Sequence, residues 1–332
     1  MDIYTITVAF FIFITGLCFG SFLNVVVLRA FSNESISYPA SKCPVCQKPL
    51  FWWHNIPLLS YLILRGKCHF CKTHISWQYP IVEFLTAVLF LISFFYFGFS
   101  INLIFIWAII FMSLVLAITD IKEHVVFLQH CLAFALIGLI YFSCKTGIMA
   151  LTGQELTWLN NPLSVSVLGM LLGGAIMLVY FGVSFVMAGG RMAMGDGDIY
   201  IAMALGACYG WEKIWIIILL GFVIQALLTA VAFEYKLLQE KNYKLFSGIL
   251  AIAILSVGYW LSNISGLFET NALYLLVYTA VLIGVAIYVC RQLFGKVLGA
   301  KTEGLAIPFG PALVFAGLIV MFLGEKLPTI AK

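Results

Sequence analysis

Ten apolar segments run through the 332-residue chain, and their length limits what it can fold into. A helix needs roughly 20 apolar residues to cross the ~30 Å hydrocarbon core of a bilayer. Only 10% of the residues are charged, whereas roughly a quarter are charged in soluble domains. We therefore predict an all-α polytopic membrane protein with about 8–10 transmembrane helices. The predicted segments are 6–28, 81–99, 101–118, 125–143, 165–187, 199–211, 214–233, 245–262, 272–290 and 305–323.

The first and the sixth segments differ from the others. The first begins near Ile3 without a basic region before it, which predicts a retained helix and not a cleaved signal. It carries Gly16 and Gly20 on one helix face, which predicts close packing against another helix. The sixth, 199–211, is short for a full crossing. It could be tilted, re-entrant or fused with the next segment across Glu212-Lys213.

The basic residues indicate the orientation in the membrane. With the N-terminus outside and the crossings alternating, 14 of the 18 lysines and arginines fall on the cytoplasmic side. The exceptions are Lys145, Lys213, Lys326 and Lys332. This bias follows the positive-inside rule, so we expect a multi-pass membrane protein with its N-terminus on the outer side. A net charge of +4 is too small to indicate a nucleic-acid partner.

Residues 30–80 form the largest polar segment, and two CxxC pairs lie within it. Four thiolates at this spacing can close tetrahedrally around one structural zinc ion, and such a short segment needs a metal to fold. A pair of redox dithiols is the alternative. The predicted ligands are Cys43, Cys46, Cys68 and Cys71, with His54, His69 and His74 nearby but outside the ligand set.

These features predict three parts of the chain. Residues 1–29 form a first transmembrane helix, residues 30–80 a small cytoplasmic zinc-ribbon-like domain, and residues 81–332 the polytopic membrane domain. The remaining cysteines lie in apolar segments, where cysteine acts as a small hydrophobic residue, so a disulfide framework is not expected.

Two aspartates at the predicted cytoplasmic membrane surface are the candidate catalytic groups. Asp120 ends the third segment, and Asp198 begins the sixth within Gly195-Asp196-Gly197-Asp198. Acidic side chains in contact with a bilayer are costly, so a chemical role is the default hypothesis. Two adjacent carboxylates can share one proton, and one then activates water while the other donates the proton.

The helix ends suggest how the shared proton is placed. Asp120 would feel the negative end of its helix and Asp198 the positive end of the next. We expect Asp120 to hold the proton at rest and the pair to titrate as a unit. Asp196 is expected to cap a helix. Gly195 and Gly197 permit close approach of a second chain to the acids.

Glu83, just inside the second segment, has two equally favoured interpretations. It pairs with an arginine or lysine of the 30–80 segment, or it faces the substrate path. For Asn24, at the end of the first segment, interhelical packing is favoured over a role in a site.

Several motifs along the chain form one pattern, beginning with Gly20-Ser21-Phe22-Leu23-Asn24-Val25 and Arg29. It continues through Cys43-Pro44-Val45-Cys46, Asn55-Ile56-Pro57, Arg65-Gly66-Lys67-Cys68, Tyr79-Pro80 with Glu83, Gly195-Asp196-Gly197-Asp198, and Pro308-Phe309-Gly310-Pro311. This pattern resembles the bifunctional prepilin peptidase/N-methyltransferase family, the type IV leader peptidases of the GxGD aspartic protease class. The resemblance covers almost the whole chain. It implies that Asp198 and Asp120 are the catalytic pair.

The resemblance also implies the substrates and cofactors. Members of the family remove the basic leader of type IV prepilins or type II secretion pseudopilins after a glycine, commonly before Phe. They then methylate the new N-terminus with S-adenosyl-L-methionine, whose binding residues the sequence does not identify. The chain departs from the family pattern after Asp120, where Val125-Val126-Phe127 lacks the usual proline, and at Tyr200, where lysine is common.

Three other functions remain open at the level of sequence. A peptidase without methyltransferase activity would keep the same acids. A transporter would use acids to bind ions, but it would place them in mid-membrane on several helices. A non-catalytic assembly scaffold would keep the zinc segment alone. The sequence does not indicate an oligomeric state.

Overall fold

The computed structural model describes residues 2–32, 34–154, 157–158, 160–187, 195–239, 247, 281 and 308–323. The chain divides into two compact units, residues 1–222 with 308–332 and residues 223–307. The described helices are α1 (Ile3–Ser32), α2 (Leu59–Ile63), α3 (Gln78–Phe97), α4 (Asn102–Glu123), α5 (Leu128–Leu151), α6 (Pro162–Met187), α7 (Gly197–Tyr209), α8 (Trp211–Gln239) and α9 (Gly310–Leu323).

Within the described residues, six helices are long and apolar enough to cross a membrane: α1, α3, α4, α5, α6 and the Trp211–Thr229 part of α8. Each overlaps one predicted segment, with ends that differ by up to eight residues, and together they confirm an all-α polytopic membrane protein. The predicted segments 245–262 and 272–290 lie outside the described residues.

The predicted segment 199–211 corresponds to α7, which is 13 residues long. At 1.5 Å per residue it extends about 20 Å, less than the ~30 Å hydrocarbon core. Gly210 has φ +78° and separates α7 from α8. The possibility that this segment is fused with its neighbour is therefore wrong, because a left-handed glycine ends the helix there.

Small residues allow α1 and α3 to pack closely. A Cβ atom at Gly16 would lie 2.5 Å from Ala87 Cα, and one at Gly20 would lie 2.6 Å from Glu83 Cα. The predicted helix contact is confirmed. Asn24 is buried in the same contact, and its side-chain amide donates to the Tyr79 carbonyl at 3.3 Å. Asn24 thus has the packing role favoured from sequence.

Helix α7 packs against α5, α6 and α9, and α4 packs against α3, α5 and α9. The contacts of α7 are close because glycines remove the side chains between backbones. A Cβ at Gly138 of α5 would lie 2.6 Å from the Ala207 carbonyl oxygen, and Gly169 of α6 meets the backbone of Gly206. This packing fixes the position of α7 relative to its neighbours.

Candidate functional site

The structure brings Asp120 and Asp198 together. Asp120 lies in the last turn of α4 and Asp198 in the first turn of α7. Their exposed fractions are 4% and 7%, and the Asp198 carboxylate interacts electrostatically with those of Asp120 and Asp196. The two acids are thus buried neighbours although they are far apart in the sequence. Such a pair can share a proton and hold a water molecule between two oxygens.

The start of α9 forms part of the same site. The backbone amide of Gly310 contacts the Asp120 carboxylate. A Cβ atom at this position would overlap Asp120 Oδ2 and would lie 2.7 Å from Ile201 Cδ1. Asp120 Oδ2 has no hydrogen-bond partner among the described residues. This oxygen is therefore a buried acceptor, beside Gly310, that no described residue satisfies.

The glycines of the Gly195-Asp196-Gly197-Asp198 motif have different surroundings. A Cβ at Gly197 would lie 2.6 Å from Val126 Cβ, so this glycine packs against the α4–α5 connection. At Gly195 the nearest atom would be the Gly197 nitrogen at 4.0 Å. Of the two roles expected for Gly195 and Gly197, substrate approach or structural support, the structure gives Gly197 the packing role.

Asp196 occupies the N-cap position of α7, as expected, but its side chain makes no capping hydrogen bond. It is exposed, in contrast to Asp198. The predicted capping interaction is wrong because Asp196 has helical backbone angles (φ −65°, ψ −23°), whereas a capping residue usually has an extended conformation.

The four predicted cysteine ligands form one cluster. The Sγ atoms of these residues all lie within 4.8 Å of one another: Cys43, Cys46, Cys68 and Cys71. The Sγ atoms of Cys43 and Cys71 are 3.8 Å apart. Four sulfurs placed 2.3 Å from a tetrahedral zinc ion would be about 3.8 Å apart. The cluster therefore fits the geometry of a structural zinc site.

The two CxxC pairs adopt the same local structure. The amide of Cys43 donates to the Lys48 carbonyl, and the amide of Cys68 donates to the Thr73 carbonyl. Gln47 and Lys72, each directly after a second cysteine, have φ of 56° and 60°. Isolated antiparallel bridges, Lys42 with Pro49 and Lys67 with His74, close the turns. The result is a pair of matching knuckles, as in a zinc ribbon.

One thiol of the cluster is biased toward its metal-binding form. The Thr73 hydroxyl and backbone amide hydrogen-bond to Cys71 and lower its thiol pKa to about 6. Because zinc binds the thiolate, these bonds favour the ligand form of Cys71 at neutral pH.

The nearby histidines lie outside the cysteine cluster, as expected. His54 is buried, and its Nδ1 accepts a hydrogen bond from the Phe51 amide at 3.2 Å. Its ring lies 5.2 Å from that of His69, within a group of aromatic rings. Burial and the neighbouring His69 lower the pKa of His54, so it stays neutral and takes part in packing.

Glu83 contacts the 30–80 segment, called the metal-binding segment below for the role we propose for its cysteines, but not through a basic side chain. Its Oε2 accepts a hydrogen bond from the Leu58 amide at 2.8 Å, and its carboxylate also contacts the Ser21 hydroxyl. Glu83 therefore joins α1, α3 and the metal-binding segment.

Two protein families match successive parts of the chain. The bacterial peptidase A24 N-terminal domain matches residues 14–97, and the type IV leader peptidase family matches residues 107–230. The first range contains the four cysteines and the second contains both aspartates. No solved structure matches the chain.

Several proteins named prepilin leader peptidase/N-methyltransferase are similar to this chain. The Myxococcus xanthus protein is 35% identical over 206 residues, which is 62% of this chain and 57% of the relative. The Klebsiella pneumoniae protein is 32% identical over 212 residues, 61% of this chain and 86% of the relative. The Stutzerimonas stutzeri protein is 32% identical over 267 residues, 72% and 86% respectively. The chain belongs to the type IV leader peptidase family.

Proposed function

We propose that the chain is a membrane-embedded aspartic endopeptidase that removes the basic leader of type IV prepilins or type II secretion pseudopilins, cutting after glycine. The observation that carries this proposal is the pairing of the buried Asp120 and Asp198 carboxylates. The names of the relatives support the substrate class.

Hydrolysis would need only water and these two side chains. A water molecule between the carboxylates attacks the carbonyl carbon of the scissile bond, and the ionised carboxylate accepts its proton. The protonated carboxyl group hydrogen-bonds to the carbonyl oxygen. A proton then passes to the amide nitrogen and the C–N bond breaks. The leader leaves with a new carboxylate, and the mature protein keeps a new amine.

The resting proton is proposed to lie on Asp120. Asp120 is in the last turn of its helix and Asp198 in the first turn of another. The negative end of a helix favours a neutral acid, whereas the positive end favours an ionised one. Asp198 would then act as the base that accepts the proton of water. This assignment requires the helix ends to outweigh the Gly310 amide beside Asp120 and the Asp196 carboxylate beside Asp198, which favour the opposite placement.

Amide substitutions test the pair. Asp120→Asn and Asp198→Asn should each abolish leader cleavage in membranes, because an amide neither accepts the proton of water nor shares one. Asp196→Asn is the matched control, since Asp196 lies two residues from Asp198 but is exposed, and it should retain cleavage. Cleavage by either Asp120→Asn or Asp198→Asn, at normal membrane abundance, would refute the mechanism.

We propose that Cys43, Cys46, Cys68 and Cys71 hold one zinc ion that folds the 30–80 segment as a unit between residues 1–29 and the membrane peptidase domain 81–332. The segment has too little apolar core to fold by itself, and bound zinc would cross-link it instead. Elemental analysis of purified protein should give about one zinc per chain, with loss in Cys43→Ser and Cys68→Ser. Full zinc content in these variants would contradict the ligand set.

We further propose that the protein methylates the new N-terminal residue, often Phe, with S-adenosyl-L-methionine as methyl donor. The names of the relatives carry this part. Mass spectrometry of the mature pilin N-terminus should show one added methyl group. An unmethylated N-terminus would contradict this part of the proposal and would indicate a peptidase without methyltransferase activity.

The bacterial inner membrane is the proposed location, with the aspartates at its cytoplasmic face. The uneven distribution of lysine and arginine supports this orientation. It would also place the basic leader and the scissile bond on the side where the prepilin is made.

A further inference from the structure

The metal-binding segment exposes a group of large apolar side chains. Leu59, Leu62 and Ile63 of α2 have exposed fractions of 50%, 69% and 61%. Their spacing of three and four residues puts them on one face of the short helix. In a polar segment surrounded by water, such an apolar face is expected either to be absent or to be covered by other side chains. The face therefore needs a partner.

Two contacts fix α2 beside the start of α3. The amide of Leu58, directly before α2, donates to Glu83 Oε2 at 2.8 Å. The ring of Tyr61 lies 5.3 Å from that of Trp77, the residue before α3. Glu83 is five residues after Gln78, about 7.5 Å along the helix at 1.5 Å per residue. Thus α2 lies alongside the first two turns of α3, a candidate membrane span.

The exposed face of α2 has apolar and basic neighbours of the kind that a membrane surface binds. The first two turns of α3 expose Ile81, Phe84 and Leu85. Arg65 and Lys67 follow α2 and are exposed. Apolar side chains beside exposed basic groups are typical of segments that lie in the interface of anionic membranes. Trp77 is also exposed, and tryptophan favours the headgroup region.

We propose that α2 is an interfacial membrane anchor, with Leu59, Leu62 and Ile63 inserted into the bilayer beside α3 and Arg65 and Lys67 at the lipid headgroups. The partner is the lipid itself. The metal-binding segment would then be attached to the membrane plane through its own side chains as well as through α1 and α3. This inference is independent of the proposed peptidase activity.

Site-directed spin labelling tests the anchor in the full-length, zinc-loaded protein. A spin-labelled non-cysteine amino acid is placed at position 62, so that the native thiols are unchanged. Position 45 is the matched control, because Val45 is 62% exposed and lies in the same segment, within the Cys43–Cys46 turn and outside α2. The proteins are reconstituted in vesicles of phosphatidylethanolamine and phosphatidylglycerol. Power saturation then compares collisions with oxygen, which enters lipid, and with a neutral nickel chelate, which stays in water.

The label at position 62 should collide more with oxygen than with the chelate, and the ratio should be reversed at position 45. A label at position 62 that behaves like the one at position 45 would show that α2 faces water and would overturn the proposal. Shielding from both reagents would also overturn it, because α2 would then be packed against protein. Zinc content and leader cleavage, measured on the same samples, report separately on folding and on the proposed function.

Discussion

Gly310 leaves no room for a side chain beside the Asp120 carboxylate. A Cβ there would overlap Asp120 Oδ2 and would press on Ile201. We predict that Gly310→Ala lowers the rate of leader cleavage by about a hundredfold, because displacing a reacting group by about 1 Å has costs of this order. The measurement is the initial rate of prepilin cleavage in membranes that contain equal amounts of enzyme.

Gly182→Ala is the control for this substitution. Gly182 lies in α6, and a Cβ there would meet no atom within 4 Å. The control should keep the normal rate, since it adds the same methyl group in open space. A normal rate in Gly310→Ala as well would show that the contact with Asp120 does not matter for hydrolysis.

At the level of residues, the sequence predicted that Asp120 and Asp198 meet, but not what surrounds them. The two acids could be singled out because an acidic side chain in contact with the bilayer is costly and rare. The sequence also contained the Pro308-Phe309-Gly310-Pro311 motif, but it could not tell that Gly310 contacts Asp120. The packing of Gly197 on Val126 was also missed. Such contacts join distant parts of the chain and leave no local pattern.

Among the elements, the metal-binding segment depends on a bond from a membrane helix. Glu83 of α3 accepts the hydrogen bond of the Leu58 amide. We predict that Glu83→Ala speeds backbone hydrogen exchange in residues 57–64, because it removes the acceptor of the partly buried Leu58 amide, and an unpaired amide costs up to about 1–3 kcal/mol when buried. Mass spectrometry of peptides from this region would measure the change.

Glu83→Gln separates the hydrogen bond from the charge. Glutamine keeps an oxygen that can accept from the Leu58 amide, so exchange in residues 57–64 should stay near that of the unmodified protein. Equal acceleration in both variants would mean that the negative charge, and not the bond, holds the segment. Unchanged exchange in Glu83→Ala would show that the hydrogen bond from the Leu58 amide does not stabilise the segment.

Helix positions could be predicted from sequence because long apolar segments mark membrane spans directly. The helix ends were less accurate: α1 extends to Ser32, beyond the predicted residue 28. The short helix α2 was not predicted, since five residues between two metal-binding turns show too little periodicity. The break at Gly210 was open from sequence, because a glycine permits but does not require a left-handed conformation.

For the whole molecule, the metal segment and the aspartate pair are separate centres, which predicts separable losses. Removing zinc with a chelator, or by Cys68→Ser, should reduce methylation more than cleavage. The reason is that Asp120 and Asp198 lie on α4 and α7, whereas the 30–80 segment with its cysteines carries the resemblance to the methyltransferase members of the family. Mass spectrometry of the pilin N-terminus would measure both products in one sample. Equal loss of both activities would contradict this independence.

Helix α7 is too short to cross the hydrocarbon core by itself, and most of its side chains are buried against α5, α6 and α9. A helix of this length facing lipid would force the bilayer to become thinner around it. Because neighbouring helices cover α7, changes in bilayer thickness act first on the outer helices. Hydrolysis should therefore proceed at similar rates in thin and thick membranes, although the acid at the start of α7 belongs to the shortest helix of the site.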